Sequence, residues 1–286
     1  MIETSFAYAK INLSLDIISK MPDGYHNLQT VMQTVGLADE VTIKCVPGEG
    51  ISVDSGLSFI PNDERNIVAK ATMAFFGFTG ITGYRTHIKV IKNIPVCAGL
   101  GGGSTDGACV LLLLDKMFGT QLDRQKLEAL GNTIGSDVPF SITGGTKLAE
   151  GRGEIITDLP PIPHCHVVIC KPTFSCSTPE LFGLVKCDRI RARPDTNGII
   201  KALHENNLGD IARRMYNVFE DVLPRRGKQE IADIKSALLE NNALGSVMTG
   251  SGSAVFGVFD NNESAQKAYD QLRGSYRDCF LTETVK

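Results

Sequence analysis

The stretch Pro95-Val96-Cys97-Ala98-Gly99-Leu100-Gly101-Gly102-Gly103-Ser104-Thr105 limits the fold of this chain more than any other. Four of the five residues from 99 to 103 are glycine, and nine of the eleven from Ala108 to Phe118 are apolar. An apolar run directly behind a glycine loop predicts a helix buried nearly all round. Ahead of the loop, residues 86–94 partly alternate and predict a strand. Strand, glycine loop and helix N-terminus together make an anion site. Glycines admit a ligand close to the backbone, and the first-turn N–H groups have no partner inside the helix. No Lys-Ser or Lys-Thr follows the glycines, so the loop is not a Walker A motif. Ser104 stands where a dinucleotide loop needs its third Gly or Ala, which weakens that reading too. A plain flexible turn is the remaining alternative, and the buried helix behind the loop argues for a scaffolded one.

Length and composition allow a sizeable core in an ordinary soluble protein. The 286 residues suit two domains, with 42% hydrophobic and 21% charged residues. A formal net charge of −3 supplies no broad basic field, so nucleic acid is excluded as the expected partner. Glu3 and the alternation from residue 5 read as a strand and not as a signal peptide. Val110 to Leu114 is too short to span a bilayer, so no membrane partner is expected. The eight cysteines contain no Cys-x-x-Cys pair and read as reduced thiols of a cytoplasmic protein. His164-Cys165-His166 lacks a further nearby ligand and reads as two surface histidines, not a metal site.

Along the chain, residues 5–17 read as a strand with Lys10 and Asn12 on one face. A lone lysine on a strand is ordinarily a solvated edge charge. Asp23-Gly24 marks a tight turn before Tyr25-His26. These two rings suit a planar ligand, or Tyr25 packs on its own hairpin; both readings stay open. Residues 31–35 and 41–46 read as further strands, and Asn62-Asp63-Glu64 as the cap of a helix over 67–76. Asp123 is expected to cap a helix over 126–134 that Gly135 stops. Asp137 follows in a tight, apolar-flanked turn, where an acid also serves as turn former or N-cap.

Gly151-Arg152-Gly153-Glu154 and Pro160-Pro161-Ile162-Pro163 form the clearest composition break, placing a boundary near 158 and domains over 1–158 and 159–286. The remainder reads strand (164–170), helices (198–240), strand (244–249), strand (254–259), helix (262–273) and strand (278–283). That order is similar to the split βαβ ferredoxin-like plan, with extra helices in the first crossover. The loop Thr249-Gly-Ser-Gly-Ser-Ala254 is either a hairpin turn or a second ligand loop.

Taken together, the Lys-bearing first strand, the Pro-x-x-x-Gly-Leu-Gly-Gly-Gly-Ser loop and the late Gly-Ser-Gly loop resemble the GHMP kinase superfamily. Ala9-Lys-Ile-Asn-Leu13, Asp23-Gly-Tyr-His26, Gly135-Ser-Asp-Val-Pro139 and Gly151-x-Gly-Glu154 resemble the branch acting on 4-diphosphocytidyl-2-C-methyl-D-erythritol. The resemblance implies an α+β chain, with a ribosomal-S5-like N-terminal domain followed by a ferredoxin-like C-terminal one. It implies ATP and Mg²⁺ as cofactors, and a small-molecule substrate with a cytidine diphosphate group, in non-mevalonate isoprenoid synthesis. By the same resemblance Lys10 and Asp137 are catalytic, and residues 95–105 wrap the ATP phosphates. Asn12, Tyr25, His26 and Thr178 bind substrate; Ser104 is the candidate metal ligand, with Asp106 a second possibility or a first-turn acid serving the helix dipole. Two departures stand out: Met21 where the family usually has Arg, and Gly107 where Ala is common, the latter costing about 0.8–1 kcal/mol locally. A mevalonate- or homoserine-type kinase would give Asp23-Gly-Tyr-His26 no work. Retention of Lys10 and Asp137 argues against a non-catalytic nucleotide-binding protein.

Overall fold

The computed structural model describes residues 1–286. In chain order the elements begin with β1 (Ile2–Lys20), β2 (His26–Pro47), β3 (Ile51–Asp54), α1 (Ile67–Thr79), β4 (Tyr84–Ile91), α2 (Gly102–Phe118), α3 (Arg124–Asn132) and α4 (Val138–Thr143). There follow β5 (Thr146–Gly151), β6 (Ile155–Asp158), β7 (His166–Cys170), α5 (Thr178–Leu184), α6 (Thr196–His204), α7 (Leu208–Arg213), β8 (Tyr216–Asn217) and α8 (Phe219–Val222). The chain closes with α9 (Arg225–Glu240), β9 (Gly245–Met248), β10 (Val255–Phe259), α10 (Asn262–Arg273) and β11 (Cys279–Glu283).

Contacts divide the chain into two units. One comprises Met1–Ala9, Ala38–Val96 and Gly101–Thr143; the other comprises Lys10–Leu37, Cys97–Leu100 and Gly144–Lys286. This division does not coincide with the boundary expected near 158. The composition break there marks the β5–β6 hairpin and the segment after it. β5 pairs with the first part of β2, Leu28 opposite Gly151, and so clusters with the later chain.

In the first unit β3 runs parallel to β4, and β4 antiparallel to the later part of β2, with Glu40 opposite Ile91. Helices α1 to α4 supply the other layer. Phe75, Ile88, Val110, Leu111 and Leu114 sit in its core, all almost fully buried. α2 is wrapped in protein as its composition predicts, with only Leu112 of its central leucines exposed. Three local expectations need correction. The strands over 31–35 and 41–46 are one strand, β2, which runs unbroken through Gly36 and Asp39. α1 is capped by Asn66, whose side chain accepts from Val68 N; Asp63 pairs with Arg65 instead, and those bonds hold its carboxyl at about 2. α3 is capped by Asp123 as expected but ends at Thr133, ahead of Gly135.

In the second unit the later part of β1 runs parallel to β8, and the β2–β5–β6 strands are antiparallel neighbours. A separate four-stranded antiparallel sheet has the order β11-β7-β10-β9. Numbered as they occur in the chain, those strands stand in the order 4-1-3-2, which is the ferredoxin-like plan. Helices α9 and α10 bring Ile231, Ile234, Leu238, Ala268 and Leu272 onto the core this sheet shares with Phe219 and Phe259. α10 has the residues expected of it, with Asn261 as its cap. The helical stretch over 198–240 holds one unexpected element, the two-residue β8. The eight cysteines are free thiols. His164 is exposed and bonded to Glu283, whereas His166 is largely buried against the same carboxylate, so only the first is a surface histidine.

Gly107 marks the close approach of α1 and α2: a Cβ there would lie 3.3 Å from Ile67 Cγ1. Crowding therefore works against the helix-propensity gain of about 0.8–1 kcal/mol. Gly107→Ala is expected to leave stability unchanged or lower it by up to about 1 kcal/mol in urea titration. Recovery of the full propensity gain would show that Ile67 yields freely.

Candidate functional site

In the second unit the site is built on β1. Strand alternation puts Lys10 and Asn12 on one face, and both are buried. The expectation of a solvated edge charge fails here, because the Lys10 ammonium is inside. Lys10 Nζ donates to Asn12 Oδ1 at 2.7 Å and to the Gly99 carbonyl at 2.9 Å. Asn12 Oδ1 also accepts from Gly250 N at 2.9 Å, while its Nδ2 donates to Thr30 Oγ1 at 2.8 Å. Thr249 Oγ1 accepts from Asn12 N at 3.1 Å and lies 3.2 Å from the Gly99 oxygen.

The two small-residue loops of this unit touch. A Cβ on Gly99, whose φ is 76°, would fall 2.1 Å from the Thr249 carbonyl oxygen. Ala254 N donates to Ala98 O at 3.1 Å, and Asn217 Nδ2 holds both Met248 O and Gly250 O at 2.8 Å. The 249–254 loop is thus more than a hairpin turn: it is the seat of residues 97–100. Thr178 opens α5, and its Oγ1 lies 2.6 Å from Ser251 Oγ on the same loop.

Tyr25 and His26 follow the Asp23-Gly24 turn, where Gly24 has a φ of 90°. Tyr25 is 56% exposed, so it is not buried against its own hairpin. The Arg152 guanidinium lies over it, 4.3 Å from the centroid. His26 stacks on Phe182 with centroids 5.0 Å apart and 27° between the planes. Burial, and secondarily the Lys20 charge, lower the His26 pKa, so its ring is neutral at pH 7 and offers one donor and one acceptor.

In the first unit, Pro95 and Val96 lead into the loop and Gly101–Thr105 form the start of α2. Gly101 is the N-cap with a φ of 72°, and no side chain caps the helix. A Cβ on Gly102 would come 3.1 Å from Ile94 Cγ2 and 3.4 Å from Lys92 Nζ. Bare glycines and first-turn N–H groups lacking intrahelical acceptors fit an anionic phosphate. Thr105 Oγ1 is used structurally, donating to Tyr8 O at 2.7 Å. Ser104 faces the segment ahead of α4, since a Cβ on Gly135 would lie 4.0 Å from its hydroxyl. Asp137 immediately precedes α4, and its carbonyl accepts from Ser141 N at 3.1 Å and Ser141 Oγ at 2.9 Å.

Sequence reading missed the cluster beneath this helix start. Lys92 Nζ donates to Asp39 Oδ2 and, at 2.7 Å, to Asp106 Oδ2; Asp39 Oδ1 takes Asn93 N and Ile94 N. Asp106 therefore holds Lys92 and does not serve the helix end as a first-turn acid. Its Oδ1 is buried without a hydrogen-bond partner. Burial opposes the Lys92 ammonium, yet Asp106 and Asp39 outweigh it and raise its pKa. Burial pushes Asp106 up to about 7 against the pull of Lys92, with Asp39 adding to the rise. No local pattern announces the Asp39 contact. Arg152 lay in a motif already noted, and Phe182 carried no signal.

Two family models match the chain: "GHMP kinases N terminal domain" over residues 66–145 and "GHMP kinases C terminal" over 199–278. A 4-diphosphocytidyl-2-C-methyl-D-erythritol kinase of Clostridium botulinum (strain Loch Maree / Type A3) is 43% identical over 282 residues, covering 98% of this chain and 99% of that protein. The kinase of the same name from Acetivibrio thermocellus is 42% identical over 279 residues, covering 98% of each. A crystal structure of 4-(cytidine 5'-diphospho)-2C-methyl-D-erythritol kinase superposes with a TM-score of 0.84 at 29% identity, covering 99% of this chain and 100% of that one. No helix is long and apolar enough to cross a membrane.

An acid whose pKa rises on folding makes the folded state bind more protons than the unfolded one, so its contribution to stability is lost as pH rises. For Asp106 the window runs from about 4 to about 7. Relative to Asp106→Asn, the wild type is expected to lose stability across pH 4–7, by at most about 1.4 kcal/mol per pH unit. Urea midpoints at pH 4.5, 5.5 and 6.5 check this; parallel curves would place the Asp106 titration elsewhere.

Proposed function

The chain belongs to the 4-diphosphocytidyl-2-C-methyl-D-erythritol kinase family of the GHMP kinases, and from that membership we propose its reaction: transfer of the ATP γ-phosphoryl group to a hydroxyl of 4-diphosphocytidyl-2-C-methyl-D-erythritol. The products are the 2-phosphate and ADP, in non-mevalonate isoprenoid precursor synthesis. The observation that carries this reading is the buried Lys10 ammonium held 2.9 Å from the Gly99 carbonyl of the glycine loop. A cation fixed at that loop favours an anionic ligand there.

Phosphoryl transfer asks the protein mainly for positioning and charge stabilisation. Asp137 accepts the proton of the substrate hydroxyl as that oxygen attacks phosphorus. Lys10 offsets negative charge on the transferring group, and Asn12, with three of its own bonds fixed, holds Lys10 in place. The main-chain N–H groups at the start of α2 bind phosphate oxygens. Ser104 is the hydroxyl that would hold Mg²⁺, which when bound neutralises phosphate charge. Tyr25 and His26 take the cytosine, one by its ring face and the other by its ring nitrogens. Thr178 binds on the substrate side. The boundary near 158 is retained as the proposed limit of the phosphate-loop domain. Reduced thiols and the absence of a basic field support a cytoplasmic enzyme acting on a small molecule.

Incubation with ATP, Mg²⁺ and a panel of alcohols, following ADP, is expected to give turnover with the cytidine-diphosphate substrate and not with mevalonate or homoserine. Asp137→Asn is expected to keep the fold and lose about 10²–10⁴-fold in kcat; an unchanged kcat would remove Asp137 from its role. In a second set of assays, Tyr25→Ala with His26→Ala should raise KM for the cytidine substrate and leave KM for ATP unchanged. A fall in ATP affinity instead would overturn the cytosine assignment.

A further inference from the structure

The motif Gly151-Arg152-Gly153-Glu154 has no part in the chemistry described above, yet the fold brings it to the Tyr25 turn. β5 pairs with β2 so that Gly151 stands opposite Leu28, and the β5–β6 hairpin tip lands beside residues 23–26. The tip is held in shape by its own glutamate. Arg152 N donates to Glu154 Oε2 at 2.6 Å, and Gly153 N donates to Glu150 O at 3.0 Å. Gly151 and Gly153 have φ values of 70° and 115°, and a Cβ on Gly151 would press to 3.0 Å against the Glu154 carboxylate. This backbone therefore serves to aim one side chain, that of Arg152.

Its guanidinium makes two contacts on the opposing turn. Arg152 Nη2 meets Asp23 Oδ2 at 2.8 Å, and its Cζ lies 4.3 Å above the Tyr25 ring. Asp23 Oδ1 meanwhile accepts from Tyr25 N at 3.0 Å, so one carboxylate ties both the Tyr25 backbone and the cation over its ring. Tyr25 is still 56% exposed with Arg152 over its ring, so the guanidinium leaves much of the side chain open at this hairpin tip. A side chain so exposed ordinarily samples several rotamers, and each bound ligand pays to order it. His26 is held differently, by stacking on Phe182, which itself packs edge-on to buried Phe219 with centroids 4.9 Å apart.

We infer that Arg152, clamped by Asp23, is a positioning residue that fixes the Tyr25 ring for a nucleobase and so sets affinity for the cytidine end of the substrate. The inference rests on the cytosine role proposed for Tyr25 above. Arg152 acts here through the ring and not on the ligand. Its cation draws on the negative face of the ring, and the Asp23 bond sets the plane at which it does so.

The test is calorimetric binding of cytidine 5'-diphosphate to the full chain, with steady-state kinetics alongside, for wild type, Arg152→Ala, Tyr25→Ala and the double variant. Arg152→Ala is expected to weaken cytidine diphosphate binding about fivefold and to raise KM for the substrate in step, with kcat changed less than about twofold. In the Tyr25→Ala background the same change should do nothing further, because the ring it positions is gone. Asp23→Asn, which keeps an acceptor for Tyr25 N but loses the charge, should repeat part of the Arg152→Ala loss. Undiminished binding by Arg152→Ala overturns the inference, as do additive losses in the double variant, which would put the guanidinium directly on the ligand. If the wild type itself fails to bind cytidine diphosphate, the cytosine role falls and takes this inference with it, an outcome distinct from the other two.

Discussion

A buried ammonium has to be hydrogen-bonded, and much of the second unit is arranged around that requirement. Lys10 finds the Asn12 amide oxygen and the Gly99 carbonyl, both neutral and both rigidly placed. Asn12 is fixed in turn by Thr30, Gly250 and Thr249, which belong to two other stretches of chain. Gly99 reaches the site only because it lacks a Cβ, since any side chain would run into the Thr249 carbonyl. Both acceptors fix where the ammonium sits, and a positioned cation is what a phosphoryl-transfer site needs.

The first unit buries a cation as well. Lys92 lies between two carboxylates, so its charge is consumed inside the protein. Asp39 uses its other oxygen on the amides of Asn93 and Ile94 and so fixes the chain as it enters the glycine loop. Asp106, one turn into α2, ties the helix to that same lysine. The cluster is a brace for the phosphate loop, and its cost is visible in the unpartnered Asp106 oxygen.

Much of this was legible from local pattern. The four strands of the sheet β11-β7-β10-β9 follow their period and α10 its Asn261 cap, and the 4-1-3-2 strand order is the plan that the element sequence suggested. The buried α2 follows from an unbroken apolar run. Errors gathered where a local cue had a nonlocal answer. Asp63 looks like a helix cap but is drawn off by Arg65, leaving Asn66 to cap. One further contact has no local cue: β5, just ahead of the Gly/Pro-rich break, is paired to β2 across more than a hundred residues.

What the residue order determined by itself was the kind of parts: a glycine loop ahead of a buried helix, a lysine and an asparagine on one strand face, and a tyrosine and a histidine after a tight turn. These depend on neighbours a few positions away, and such preferences survive in any context. Only the tertiary structure decided which parts meet: Asn12 with Thr249, Lys92 with Asp39, Arg152 with the Tyr25 ring. Partners separated by 237, 53 or 127 residues leave no periodic trace, because what joins them is packing and charge compensation after the chain has folded back on itself.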